Sequence, residues 1–550
     1  MATSGVPSGS LGEAPTPTPW NKAPGPQLLP PLLCAVLVAA VAWCAARAAE
    51  WAWLRPRRLG RALRAQGLRG TAYRPISGDA SLADRLALEA RSRPPLPPGC
   101  HAVVPRAMPL FHHAMEEHGK MSITWSGPVP RVTIADPALV RQVLSNKFGH
   151  FEKPGFGQLQ RLLHYGVSTH HGAKWARHRR IINPAFHLDK LKRMLPAFAS
   201  CCGDLVSRWE GLVAGAGEAC EVDVWPEMQR LTGDVISRAA FGSSYLEGRR
   251  IFQLQEEQVR LAMLASNKIH IPGYIMLPTR TNRRMKRIAA EIEGILRGMI
   301  AKREGAMRAG EATGGDDLLG LLLESNMEHS GGGGMSTDDV IGECKLFYFA
   351  GMETTSILLT WTILLLCMHP EWQDRAREEV LRVFPGGGAG TTVPDYDGLS
   401  RLKIVTMVLY EALRLYTPLP AVHRRTYKPV ELGGVKYPAG VTLVLPLLCI
   451  HHDRDVWGPD ADEFRPERFA EGVAGAARGG GDRPPAFFAF GGGPRTCVGQ
   501  SFALLEAKMG LAMILRRFDL ELSPSYAHAP FPVPLLKPEH GAQVRLRKLP

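Results

Sequence analysis

The apolar positions of this chain follow three patterns, and each predicts a different element. Leu28 to Ala46 is an uncharged run of nineteen residues, close to the roughly 20 that cross a bilayer as a helix. Apolar and polar residues alternate in Ser122 to Trp125 and in Arg131 to Ile134, with Gly127-Pro128 between them, which predicts a short hairpin. From Asp136 onward the apolar spacing is that of helices. The expected fold class is mainly α with a small β-sheet region, preceded by one N-terminal transmembrane helix.

Three helices can be bounded. Ser336 and Thr337, followed by Asp338 and Asp339, form an N-cap and an acidic first turn, and the helix they open should run to His369, where Pro370 stops it. Roughly 30 residues make it about 45 Å long. Leu402 to Tyr416 reads as an amphipathic helix ending before Pro418, with Glu411 and Arg414 on one face. An apolar helical stretch should run from Ser501 through Phe518.

Residues 47–99 read as a basic, proline-rich linker, because Arg93-Pro94-Pro95-Leu96-Pro97-Pro98 cannot supply regular backbone hydrogen bonding. Glycine runs at 331–334, 386–388 and 479–481 read as surface loops, and none has the lysine of a phosphate-binding loop. No repeat or composition shift divides the remainder. The organisation expected is a short luminal segment 1–27, a span 28–46, the linker, and one catalytic domain 100–550.

With 66 Lys and Arg against 52 Asp and Glu, the net charge of +14 permits nucleic acid, a membrane surface or an acidic protein as partner. No zinc-finger spacing or RNA-binding aromatic signature accompanies it, so nucleic acid is not expected. The charge is better used beside the span. Arg47, Arg55, Arg57, Arg58, Arg61, Arg64 and Arg69 follow it against Glu50 alone, which places the bulk of the chain in the cytosol. Trp43, Trp51 and Trp53 suit the headgroup interface. A cleaved secretory signal is disfavoured, since the run exceeds the usual 7 to 15 residues and the following charges oppose export. Ten sparse cysteines exclude a disulfide framework.

The most specific chemistry lies in Phe490-Gly491-Gly492-Gly493-Pro494-Arg495-Thr496-Cys497-Val498-Gly499. Gly493 and Gly499 would allow close approach to the backbone, and a helix starting just after Cys497 would stabilise a thiolate. The alternative is a buried free cysteine in a glycine-rich turn. This segment resembles the ligand loop of the cytochrome P450 family. The resemblance implies the cytochrome P450 fold, haem b (iron protoporphyrin IX) with Cys497 as axial metal ligand, Arg495 on a haem propionate, and Phe490 packed near the sulfur.

Other motifs of that family follow at the expected places. Ala350-Gly351-Met352-Glu353-Thr354-Thr355 resembles the part of the long helix that crosses the haem; small residues such as Gly351 would open a groove, with Thr354 and Glu353 delivering protons during oxygen activation. Standing alone, such a glycine more often serves close helix packing. Glu411 and Arg414 resemble the family's Glu-x-x-Arg pair, and Phe464-Arg465-Pro466-Glu467-Arg468-Phe469 would add Arg468 to form a buried structural ion network. Trp175 and Arg179, four apart after Gly172, would donate to a propionate, although Arg179 could instead belong to a basic face with Arg177 and Arg180. Arg424 aligns with another propionate contact, with Arg425 as the alternative.

Segments including Trp175 to Phe186, Cys344 to Trp361, His451 to Phe469 and Ser523 to Pro530 resemble the plant CYP72A-like clade that contains secologanin synthase and hydroxylases of triterpenoids and gibberellins. Membership implies an endoplasmic-reticulum enzyme that uses O2 and takes electrons from NADPH through a separate cytochrome P450 reductase, since no flavin or nicotinamide fingerprint occurs here. Hydroxylation of a lipophilic small molecule, a terpenoid or terpenoid-derived hormone, is the expected reaction. Alternatives are oxidative C–C cleavage of an iridoid, detoxification of xenobiotics such as herbicides, peroxide rearrangement, and a non-catalytic haem-binding membrane protein. The helix threonine opposes rearrangement. Substrate contacts are expected from Phe156 to Thr169, Leu419 to His423 and Phe531 to Leu536. Thr417 stands where the clade often has proline, and Gly492 where an aromatic is common.

Overall fold

The computed structural model describes residues 31–146, 149–155, 158–163, 165–217, 219–243, 245–265, 271, 273–310, 317–327, 334–385, 393–476, 486–532 and 534–549. The expected segment 1–27, most of the glycine runs and part of the loop after Phe156 lie outside these. Two compact units result, Met1–Leu54 and Arg55–Pro550.

In the first unit, Pro31–Ala49 forms a helix followed by a π-helical turn over Glu50–Leu54. Every residue from Leu33 to Ala49 is exposed. A helix apolar on all sides that buries nothing against protein has the composition of one that buries itself in lipid.

In the second unit, the stretch read as a linker is largely ordered. It carries helices over Arg55–Arg64 and Ala80–Ser92 and a strand at Arg69–Gly70. The residues that hold it are distant in sequence. Leu63 is fully buried, Arg69 pairs with Ser122, and the Asp79 carboxylate accepts from the Trp125 amide at 2.7 Å. Only its last part matches the proline-based expectation.

The main sheet has six strands in the order Arg69–Gly70, Ser122–Ser126, Val129–Thr133, Thr442–Leu445, Val422–Thr426, Phe151–Glu152. The expected hairpin is present, with Ile123 opposite Val132 and Ser126 opposite Val129. Gly127 turns it at φ 55°. A second sheet joins Phe518–Leu522, Gln543–Lys548 and Cys220–Asp223. Helix dominates elsewhere.

The long helix spans Thr337–Met368, and Ser336 caps it by accepting from the Asp339 amide. Every residue from Thr355 to Cys367 is buried. Its length and apolarity would also suit a membrane, but 78% of its most apolar window is buried in protein, against 0% for the N-terminal helix. It packs against the helices Val224–Phe241, Lys403–Leu415 and Gln500–Leu515.

The last of these ends at Leu515 rather than Phe518. Phe518 opens a strand because it and Leu520 alternate inward and pair with Lys548 and Leu546.

Candidate active site

The cysteine loop is closed by its own backbone. The Gly491 amide donates to Phe488 O at 2.8 Å, and the Cys497 amide to Phe490 O at 2.9 Å. The Thr496 amide donates to Gly493 O at 3.1 Å. Gly493 has φ 64°, and a Cβ there would lie 2.3 Å from Leu144 O, so both conformation and close backbone approach demand glycine. Gly499 differs, since a Cβ there would meet only the Phe186 ring, at 3.8 Å. Nothing in the polypeptide requires glycine at 499. Phe490 is partly buried against the main core, and the helix Gln500–Leu515 begins three residues after Cys497.

Cys497 is exposed, although enough protein surrounds it for burial to act on its thiol. Burial pushes its pKa up, while the Gly499 amide and the charges of Arg179 and Lys153 pull it down.

Two cations, Arg179 and Lys153, act on this sulfur, and Arg424 and Arg495 adjoin Lys153. Arg495 donates to His170 O at 2.7 Å, lies over the Trp175 ring at 4.6 Å, and leaves its buried Nη1 without a hydrogen-bond partner. Arg179 donates to Thr496 O at 2.8 Å. Arg424 is 6% exposed, and burial followed by Arg495 lowers its pKa to about 10. Lys153 is lowered to about 7 by burial, then by Arg424 and Arg495.

Glu152 is the acid that offsets Arg495. Desolvated cations that depress one another call for an anion, and a planar group bearing two carboxylates suits both the charge and the orphaned guanidinium nitrogen. Haem would meet that description, with the open thiol available as its ligand and room beside Gly499.

Between the two arginines left open by the sequence, Arg424 faces Arg495, whereas burial and the neighbouring Arg55 depress Arg425. Strand alternation sends the pair to opposite faces. Lys153 was not anticipated from sequence. It follows the two-residue strand in which Phe151 pairs with Thr426 and Glu152 with Arg425, and only that pairing brings it beside Arg424.

The helix Gly172–Ile182 carries Trp175 and Arg179 on one face. It is tied to the long helix by Lys174 on Asp339 at 2.6 Å and by the fully buried pair His178 Nδ1 and Glu343 Oε1 at 2.6 Å.

On the long helix, the Thr354 hydroxyl donates to Ala350 O at 2.7 Å. Glu353 is buried and directed elsewhere, with Oε2 at 2.6 Å from Lys537 Nζ and Oε1 accepting from Gln229 Nε2 at 3.2 Å. Gly351 does not open a groove here. A Cβ on it would lie 2.6 Å from Ile236 Cγ1, so its smallness serves the crossing of the helix Val224–Phe241.

The ion network is present and larger than expected. Arg414 binds Glu411 in bidentate fashion, 2.7 Å at each contact, and both are fully buried. Its Nη1 also donates to the carbonyls of His451 and Ala461, at 2.7 and 2.6 Å. Arg468 reaches Glu411 at 3.5 Å and takes Asp460 as a second carboxylate at 3.0 Å. Asp460 had no distinguishing sequence signal.

A helical fold with an open thiol beside a cluster of cations and a buried ion network is the setting that a haem-thiolate protein requires. The cytochrome P450 profile matches residues 101–546, and the chain belongs to that family. It is 58% identical over 522 residues to cytochrome P450 CYP72A616 of Paris polyphylla, covering 94% of this chain and 98% of the relative. It is 48% identical over 523 residues to the 11-oxo-beta-amyrin 30-oxidase of Glycyrrhiza uralensis, covering 94% and 97%. Among solved structures, the retinoic acid-bound cyanobacterial CYP120A1 superposes with a TM-score of 0.69 at 23% identity, covering 83% of this chain and all of the other. The protein is a cytochrome P450 monooxygenase of CYP72A type.

Proposed function

We propose that this enzyme hydroxylates a terpenoid or terpenoid-derived hormone, with electrons passed from NADPH by a separate cytochrome P450 reductase. The observation that carries the site assignment is the accessible Cys497 beside Arg179 and Lys153, with Arg424 and Arg495 adjoining Lys153 in a cluster rich in positive charge. Haem bound there supplies the activation of dioxygen, one oxygen atom entering the substrate and the other leaving as water.

The chain's own residues supply the rest. Cys497 provides the thiolate, and the closed turn from Phe490 keeps its amides near the sulfur and water away. Arg495, Arg179 and Arg424, with Trp175 and Lys153, anchor the propionates. Thr354 and Glu353 move protons inward. Glu411, Arg414 and Arg468 hold the loop's foundation.

Substrate class rests on the 48% identity to a relative named as an 11-oxo-beta-amyrin oxidase. A single-pass endoplasmic-reticulum location with the catalytic unit in the cytosol rests on the exposed apolar helix and the arginines that follow it.

The test is the spectrum of reduced, carbon monoxide-treated microsomes containing the protein, beside Cys497→Ser. A strongly red-shifted Soret band lost in the variant supports thiolate ligation; an unshifted band in both overturns it. Turnover of triterpenoid alcohols with reductase and NADPH then tests the substrate class, and turnover of herbicides alone would replace it.

A further inference from the structure

Glu353 and Thr354 are neighbours on one helix, yet their side chains are engaged on different sides. The Thr354 hydroxyl bonds back to Ala350 O. The Glu353 carboxylate is held by Lys537 at 2.6 Å and by Gln229 at 3.2 Å, and the residue is only 3% exposed. A nearly buried carboxylate needs a compensating cation, and Lys537 is the one in contact.

Lys537 is less buried than its partner, its side chain 23% exposed against 4%. It sits on the hairpin formed by Pro530–Pro532 and Leu536–Pro538, opposite Phe531. Leu536 fixes that hairpin twice, accepting from Trp361 Nε1 of the long helix at 2.9 Å and donating to Pro418 O at 3.0 Å. The Lys537 ammonium also lies 5.1 Å from the centre of the Trp225 ring, whose helix supplies Gln229. The charge is therefore placed by three separate chain segments, with one side toward water.

We propose that Lys537 is a positioning residue for proton delivery, holding Glu353 as a carboxylate at the solvent end of the path to Thr354. This rests on the reading of Glu353 as the relay acid. For the relay to work, the pair opens, Glu353 takes a proton from the bulk solvent conducted through water admitted beside the ammonium, and rotation carries that proton toward Thr354. Its loss inward restores the carboxylate to Lys537, and the ammonium keeps its own proton throughout.

The test compares the full-length haem-loaded protein with Lys537→Met, Lys537→Gln and Lys537→Arg. Two readouts are used: the infrared carboxylic-acid C=O stretch, assigned by its loss when Glu353→Gln is combined with Lys537→Met, and NADPH oxidation with purified reductase. Removing the ammonium should bring up a protonated Glu353 band and slow NADPH oxidation by roughly a hundredfold, the low end of what a positioned proton donor contributes. Lys537→Arg should restore both.

Absence of the band in both Lys537→Met and Lys537→Gln, or failure of arginine to rescue, overturns the proposal. Unaltered oxidation in Glu353→Gln overturns the relay reading itself. Slowed oxidation in Glu353→Gln with none in Lys537→Met overturns only the role of Lys537.

Discussion

The Nε2 atom of His451 accepts a hydrogen bond from the backbone amide of Phe488 at 3.0 Å. The carbonyl of the same histidine is held by Arg414 at 2.7 Å. One residue thus joins the buried Glu411–Arg414 pair to the start of the cysteine loop, where Phe488 O accepts from the Gly491 amide. The ion network braces the ligand loop through backbone contacts. His451 plays its part as a neutral imidazole, because burial and then Arg414 lower its pKa to about 3.

Replacing His451 by phenylalanine should therefore uncouple loop from network. The Phe488 amide loses its buried acceptor, which costs about 1–3 kcal/mol. The thermal midpoint should fall, and the carbon monoxide spectrum should gain an unshifted component. An unchanged midpoint and spectrum would remove His451 from this role.

Glu411→Gln should be far more severe. It leaves the fully buried Arg414 without its countercharge, and breaking a buried pair costs roughly 3–5 kcal/mol. Denaturant unfolding and recovery of haem-loaded protein measure the loss.

Gly493→Ala and Gly499→Ala should separate two uses of glycine. The first creates a 2.3 Å approach to Leu144 O at positive φ, and should destabilise the polypeptide with or without haem. The second has room within the protein, so its effect should appear as reduced haem retention with little change in unfolding of the haem-free chain.

Lys153→Met should weaken haem retention by about tenfold, the equivalent of about 1.4 kcal/mol, as judged by transfer of haem to apomyoglobin. An unaltered transfer rate would exclude Lys153 from the propionate cluster.

Acid should destabilise the enzyme well before its carboxylates titrate. Burial is the leading cause that lowers His101 to about 2, His451 to about 3 and His528 to about 4, whereas all three titrate near 6.5 when unfolded. Below about pH 6.5 the unfolded chain binds more protons, so stability falls toward each folded value by about 1.4 kcal/mol per pH unit per imidazole. Unfolding followed between pH 7 and 5 should show this slope, reduced in His451→Phe.

Much of the architecture was legible because local rules set it. The Ser336 cap and the stop at Pro370 bound the long helix, and the loop before Cys497 has the glycines its turns demand. Less legible were features whose cause is a distant neighbour. The basic stretch after Arg55 looked like a linker because nothing within it announces that Asp79 will bond to Trp125. Phe518 looked helical because Gln543–Lys548, the strand it pairs with, lies well downstream.

What the sequence determined by itself was the apolar span, the cap and stop of the long helix, the cysteine turn and the spacing of Glu411 with Arg414, since each depends on residues within a few positions of one another. Only the tertiary structure decided that Arg424 rather than Arg425 joins Arg495, that Lys153 and Asp460 complete their clusters, that Gly351 packs on Ile236, and that Lys537 holds Glu353. Those outcomes depend on which strands pair and which helices cross, and long-range burial, not local spacing, fixes where such side chains meet.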